Sequence, residues 1–221
     1  MITRMATPMM EHPIEPQLGI NVIAMENTSA YFDLVQSISS SEEKWLFFSD
    51  KKRVIASKVC IFLGDPASGI DVNSLFKKVM FSQLISFLQD EQYQELHEIT
   101  EQLYQFMVNL VMSNEMDIEL DNEFDPKLLL ELFHPRLAES DANSAFEVLQ
   151  DIIKIAGALQ VEQTLVLLHV FDYCTNEQIE YLQRETLRQE LQVLCLERSN
   201  QPLEFEKGRN WYLDADWTEL Y

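Results

Sequence analysis

Short apolar runs, each too brief for a helix and most followed by a capped helical segment, constrain this chain more than any other feature. Ile20 to Met25 opens after Gly19 and reads as a buried strand. Asn27, Thr28 and Ser29 follow it, and any of them can cap a helix from Ala30 to Ile38. Trp45 to Phe48 and Val59 to Leu63 read as further strands, with the basic cluster Lys51-Lys52-Arg53 between them. Gly64-Asp65-Pro66 then breaks the chain, and Asp71 to Ser74 supplies caps for a helix beginning near Leu75. The pattern returns at the other end. Leu165 to Val170 is a strand run, Thr175 and Gln178 form a capping box for a helix reaching about Leu187, and Gln192 to Leu196 and Trp211 to Leu213 are strands. Strands alternating with helices imply an α/β fold, a mostly parallel sheet with both faces covered.

The middle of the chain is helical. Leu96, Ile99, Leu103, Phe106 and Leu110 follow spacings of three, four, three and four, a heptad seam with Glu95, Glu98 and Glu101 outside it. Such a seam is expected to pack inside a helical leg. Asp125-Pro126 starts a helix that His134-Pro135 ends, and Phe146, Leu149, Ile153 and Ala156 trace the face of another. The division expected is an α/β head from residues 1–75 and 160–221, with residues 76–159 inserted as the helical leg. The first dozen residues, with Met1, Met5, Met9 and Met10 among them, read as a frayed lead-in.

Between Glu115 and Asp125 a carboxylate stands at every second position: Glu115, Asp117, Glu119, Asp121, Glu123 and Asp125. Residues i and i+2 of a strand share a face, so an extended conformation stacks the acids on one side and Met116, Ile118, Leu120 and Phe124 on the other. No Lys or Arg occurs between Lys78 and Lys127 to balance them. Two readings stay open. Calcium takes about 6–8 oxygen ligands in flexible geometry and would use such a wall; an ordinary solvated acidic edge needs no ligand at all. An EF-hand is excluded, because Asn122 stands where its loop needs Gly and Leu128 where it needs Glu. A metal here would have an irregular site and could draw ligands from a second chain.

The chain has 221 residues, 47% of them hydrophobic, enough for a core without disulfides. Cys60, Cys174 and Cys195 lie in or beside apolar runs without C-x-x-C spacing, as buried thiols of a reducing cytoplasm do. No apolar stretch approaches the ~20 residues of a membrane span, and no signal-peptide core is visible. The five glycines form neither a P-loop nor G-x-G-x-x-G, and the turn Glu26-Asn27-Thr28-Ser29 puts a carboxylate where a phosphate would sit. His12, His97, His134 and His169 fit no zinc spacing, and no nucleophile elbow occurs. Enzymatic chemistry therefore finds little support. The net charge of -21 argues against nucleic acid, although local potential decides what binds.

Several segments together resemble one family. Glu11-His12-Pro13-Ile14, the strand Ile20 to Glu26 and the residues Tyr31-Phe32 and Leu34-Val35-Gln36 are similar to its opening. Gly64-Asp65-Pro66 followed by Asp71-Val72-Asn73-Ser74, the acidic stretch, and the close from Thr175 through Val193–Glu197 to Tyr212–Asp216 match in order. The family is the small acidic spacer-acquisition protein of type II-A CRISPR systems, and the resemblance runs from about Glu11 to Leu220. Two departures are the long lead-in and the extra Asn122-Glu123.

The resemblance implies a cytoplasmic homotetrameric ring with a degenerate, NTPase-like α/β head and a helical leg, held by calcium and lacking catalytic activity. It implies threading of double-stranded DNA ends through a basic hole, in support of the CRISPR integrase pair and the type II effector nuclease. The candidate calcium ligands are then Glu115, Asp117, Glu119, Asp121 and Glu123. A ring can be acidic outside and basic on its lining, and the candidates for DNA contact are Lys51, Lys52, Arg53, Lys77, Lys78 and Lys154. The alternative from another class is an acidic adaptor that binds basic protein partners and never touches DNA. A divergent nucleotide hydrolase ranks last, for want of glycines.

Overall fold

All seven residues from Gly19 to Met25 are buried, as a central parallel strand requires when helices cover both faces of its sheet. In the computed structural model, which describes residues 1–40, 44–138 and 140–220, the chain begins with β1 (Arg4–Ala6), β2 (Gly19–Met25), α1 (Thr28–Ser39), β3 (Leu46–Ser49), β4 (Lys52–Val54), α2 (Ala56–Val59) and β5 (Cys60–Gly64). A 3-10 turn at Pro66–Ser68 leads to α3 (Val72–Ser86), α4 (Asp90–Ser113) and α5 (Pro126–Phe133). The chain closes with α6 (Ala145–Ala158), β6 (Thr164–Leu168), α7 (Val170–Tyr173), α8 (Asn176–Arg188), β7 (Gln192–Arg198), β8 (Arg209–Leu213) and β9 (Glu219–Leu220). Two compact units result: Met1–Leu75 with Ala138–Tyr221, and Phe76–Leu137.

The first unit is the α/β head. Its main sheet has the order β5-β6-β7-β2-β8-β9, parallel through β8, with β9 returning antiparallel. The caps read from the sequence form as expected. Asn27 accepts the Ala30 N–H at 3.0 Å, and Thr175 and Gln178 make the reciprocal box of α8.

Four expectations are corrected here. Trp45–Phe48 does not join the parallel sheet. A tight turn with Asp50 at φ 55° folds β3 back on β4, and β1 pairs with the other side of β3, giving a separate antiparallel sheet of order β1-β3-β4. A connection that short can make only an antiparallel pair.

The lead-in is not frayed. Ile2, Met5 and Ile14 have no exposed surface. The Ile2 N–H donates to Thr164 Oγ1 at 2.9 Å, and its carbonyl accepts from Gln192 Nε2 at 3.0 Å, which fastens the segment to the starts of β6 and β7. Alternation of the buried Met5 and Thr7 with Arg4 and Ala6 was the available signal, masked by the brevity of a three-residue strand.

The leg is also shorter than residues 76–159. Helix α6 buries Leu149, Ile152, Ile153 and Ala156 and packs against α7 and α8, so it belongs to the head.

The second unit contains most of α3, then α4, an irregular segment and α5. Within it α4 buries no residue, and the seam expected to be interior is open: Ile99 is 56% exposed, Leu103 51% and Phe106 63%. No helix among the described residues is long and apolar enough to cross a membrane.

Candidate functional site

The acidic segment leaves the end of α4 through Glu115, which adopts a left-handed backbone at φ 50°. It is not the strand its alternation suggests. The unit offers only helices, so no edge exists for Glu115–Asp125 to pair with, and it runs irregularly back along α4. Phe124 packs edge-on against Tyr93 and His97, with ring centroids 5.2 and 4.9 Å away, and Asn122 Nδ2 donates to Glu101 Oε2 at 3.3 Å. Glu115, Asp117, Glu119, Asp121 and Glu123 are all exposed. Asp121 Oδ1 accepts the Glu123 N–H at 3.1 Å, an ordinary Asx turn. Among the described residues no three Asp, Glu, His or Cys side chains converge to hold a metal ion. The oxygen donors suit a hard cation; their arrangement in one chain does not form its cage.

The six candidate bases stand on three elements. Lys51, Lys52 and Arg53 occupy the β3–β4 hairpin, Lys77 and Lys78 sit on α3, and Lys154 on α6; all are exposed. Lys77 Nζ lies 5.4 Å from the Phe81 ring centre, and Lys154 Nζ stands 3.7 Å from Asp151. The sequence reading missed Arg4, whose guanidinium lies 4.3 Å above the Phe48 ring. Strand pairing brings it to the hairpin, forty-odd residues on in the chain, and no local pattern could have done so.

At the carboxyl ends of the parallel strands, where open α/β sheets bind their ligands, the structure assembles a second group of residues. Asp65 follows β5, His169 follows β6, Glu197 lies near the end of β7, and Tyr31 is on the helix after β2. His169 Nδ1 is 3.0 Å from Asp65 Oδ2, its Nε2 is 3.0 Å from the Tyr31 hydroxyl, and Tyr173 donates to the same Asp65 oxygen at 3.1 Å. Partial burial pushes the Asp65 carboxyl up, but hydrogen bonds from His169, the Ala67 N–H and Tyr173 outweigh it and hold its pKa below the usual range. Burial drives Glu197 up to about 8, against backbone hydrogen bonds from Phe171 and Val170 and with Asp172 and Asp65 adding to the rise. Burial likewise pushes Tyr31 to about 12. The readable signal was an ionisable residue directly after each apolar run.

Further hydrogen bonds hold the neighbouring turn after β2 at the same end of the sheet. Arg198 donates to the carbonyls of Met25 and Glu26, Asn27 Nδ2 to the Ala215 carbonyl at 2.9 Å, and Tyr212 to Glu26 Oε2 at 3.0 Å. The turn after β2 is thus tied by Asn27 and by side chains from β7 and β8.

The chain is thus a mostly parallel α/β head interrupted by a helical unit. Residues 37–217 match the family described as CRISPR-associated protein (Cas_Csn2), and the chain belongs to that family. The crystal structure of Stu0660 of Streptococcus thermophilus has a similar fold, with a TM-score of 0.60 at 15% identity over 99% of this chain and 76% of that one. Family membership gives the chain a role in CRISPR adaptation, the acquisition of spacers for defence.

Proposed function

We propose that the chain assembles into a homotetrameric, calcium-dependent ring that binds double-stranded DNA ends without sequence preference and has no catalytic activity. It would work in the cytoplasm beside the integrase pair and the type II effector nuclease. One observation carries the assembly: Ile99, Leu103, Phe106 and Leu110 line α4 at heptad spacing, and all four are exposed in the single chain. Such a stripe gains free energy only when another helix covers it. The carboxylates of Glu115 to Glu123 fit calcium in donor chemistry and lack a cage within one chain, so a metal would draw ligands from a second copy and tie assembly to calcium.

DNA contact rests on the exposed lysines and arginines, the groups able to replace phosphate counter-ions. Phosphate contacts carry no sequence information, which suits capture of arbitrary ends. The rival reading is an acidic adaptor for basic proteins. Its supporting feature is the stretch from Val79 to Pro126, which holds no Lys or Arg in a chain of net charge -21.

The test is a mass measurement in solution, with calcium and with a chelator. A tetramer that falls to smaller species on chelation supports the proposal, and a monomer in both conditions contradicts it. Replacing Asp117, Glu119 and Asp121 by Asn, Gln and Asn should reproduce the effect of the chelator. Thermal melting gives the matching check, since a ligand at ~100-fold excess over Kd adds about 2.7 kcal/mol.

A further inference from the structure

Arg4, Phe48 and Arg53 stand opposite one another across β1, β3 and β4. Cross-strand partners share a face of the sheet. The adjacent row, Met5, Phe47 and Val54, packs on the core, so the row of Arg4, Phe48 and Arg53 faces outward. Arg4 and Arg53 are exposed, Phe48 is half-buried beneath the Arg4 guanidinium, and Lys51 and Lys52 are exposed at the tip of the hairpin. Strand pairing thus gathers Arg4, Lys51, Lys52 and Arg53, four of the chain's 16 bases, on one small sheet of a chain with 37 acids.

Charge complementarity alone selects a polyanion. The flat guanidinium lying on a phenyl ring selects more narrowly, because planar cations and aromatic rings are the surfaces on which unpaired bases stack. Interior bases of a duplex are stacked on both faces and cannot reach such a surface, and a terminal pair offers only its outer face. We propose that this face of the small sheet takes an unpaired nucleotide at a DNA end, its base stacked on the Arg4–Phe48 pair and its flanking phosphates on Arg53, Lys51 and Lys52. The proposal rests on the DNA-end reading above and adds to it a preference for frayed or tailed ends.

Fluorescence anisotropy with calcium at low salt tests it, using a blunt duplex, the same duplex with a short single-stranded tail, and the free single strand. For the unmodified protein the tail should improve affinity about tenfold, the scale of one stacked base. Phe48→Ala should erase that gain and leave blunt-duplex binding unchanged. Phe48→Leu, which keeps the strand packed but lacks a flat ring, should behave in the same way and serves if the alanine variant fails to fold. Equal affinity for blunt and tailed duplexes, or a gain that survives both substitutions, overturns the proposal. Failure of the blunt duplex to bind would overturn the end-binding reading alone. In that case, single-strand binding lost in Phe48→Leu would still support the stacking face, and its absence would refute it.

Discussion

The Nδ1 of His169 lies 3.0 Å from Oδ2 of Asp65, and this contact ties the end of β6 to the turn after β5. Tyr31 holds the other ring nitrogen, so three separate stretches of chain meet on one imidazole. Asp65→Ala removes the shared acceptor of His169 and Tyr173 and should cost about 1–2 kcal/mol in urea unfolding at neutral pH. Because the folded pKa of Asp65 is lowered, its contribution is present above the unfolded value of about 3.9 and is lost as pH falls through the folded one. The gap between variant and unmodified protein should therefore close in acid. A gap that persists at the acid end would show that the loss is one of packing.

Glu197 carries the opposite dependence. Its pKa is raised to about 8, whereas an unfolded Glu titrates near ~4.3. Between those values the folded chain binds a proton that the unfolded chain lacks, so stability drops as pH rises through the interval and levels off above it. Glu197→Gln keeps the acceptor for the Phe171 N–H without the charge. The variant should melt higher than the unmodified protein above pH 8, by on the order of a few kcal/mol, and the two should converge toward pH 5. Parallel melting curves across that range would sink the assignment.

Leu103 separates folding from assembly. Half exposed in the single chain, it has little core to vacate, so Leu103→Ala should change intrinsic stability by within about 0.5 kcal/mol. Leu103→Glu with Phe106→Glu should shift the solution mass toward smaller species while circular dichroism stays constant. A loss of about 2–5 kcal/mol from the alanine variant under dissociating conditions would mean that the seam is interior after all.

Met5 tests the N-terminal segment. Its side chain is fully buried among Ile2, Ile14 and Phe47, and Met5→Ala should cost about 2–5 kcal/mol as a core truncation. Tolerance without loss would restore the picture of a frayed lead-in.

The strands of the parallel sheet were legible because burial on both faces demands unbroken apolar runs, as in Ile20–Met25 and Val193–Leu196. The caps at Asn27, Asp125 and Thr175 were legible because capping is local chemistry. What stayed hidden depends on distant pairing. Arg4 reaches Phe48, and Asp65 reaches His169, only through strand order. The heptad seam was read correctly as an apolar stripe on a helix, but periodicity cannot say whether the element covering it lies in the same chain. The alternation of Glu115–Asp125 failed as a strand signal for want of a partner edge. Its lack of nearby bases was plain from the residues.

The proposed ring would take DNA by its ends. The most direct measurement compares one linear duplex with a closed circle of the same sequence, at low salt with calcium. The account predicts binding to the linear form alone, weakening steeply as salt rises and falling about equally for every sequence when Lys77 and Lys78 are reversed to Glu. Equal binding to linear and circular DNA would contradict threading, and binding to neither would leave the acidic-adaptor reading standing.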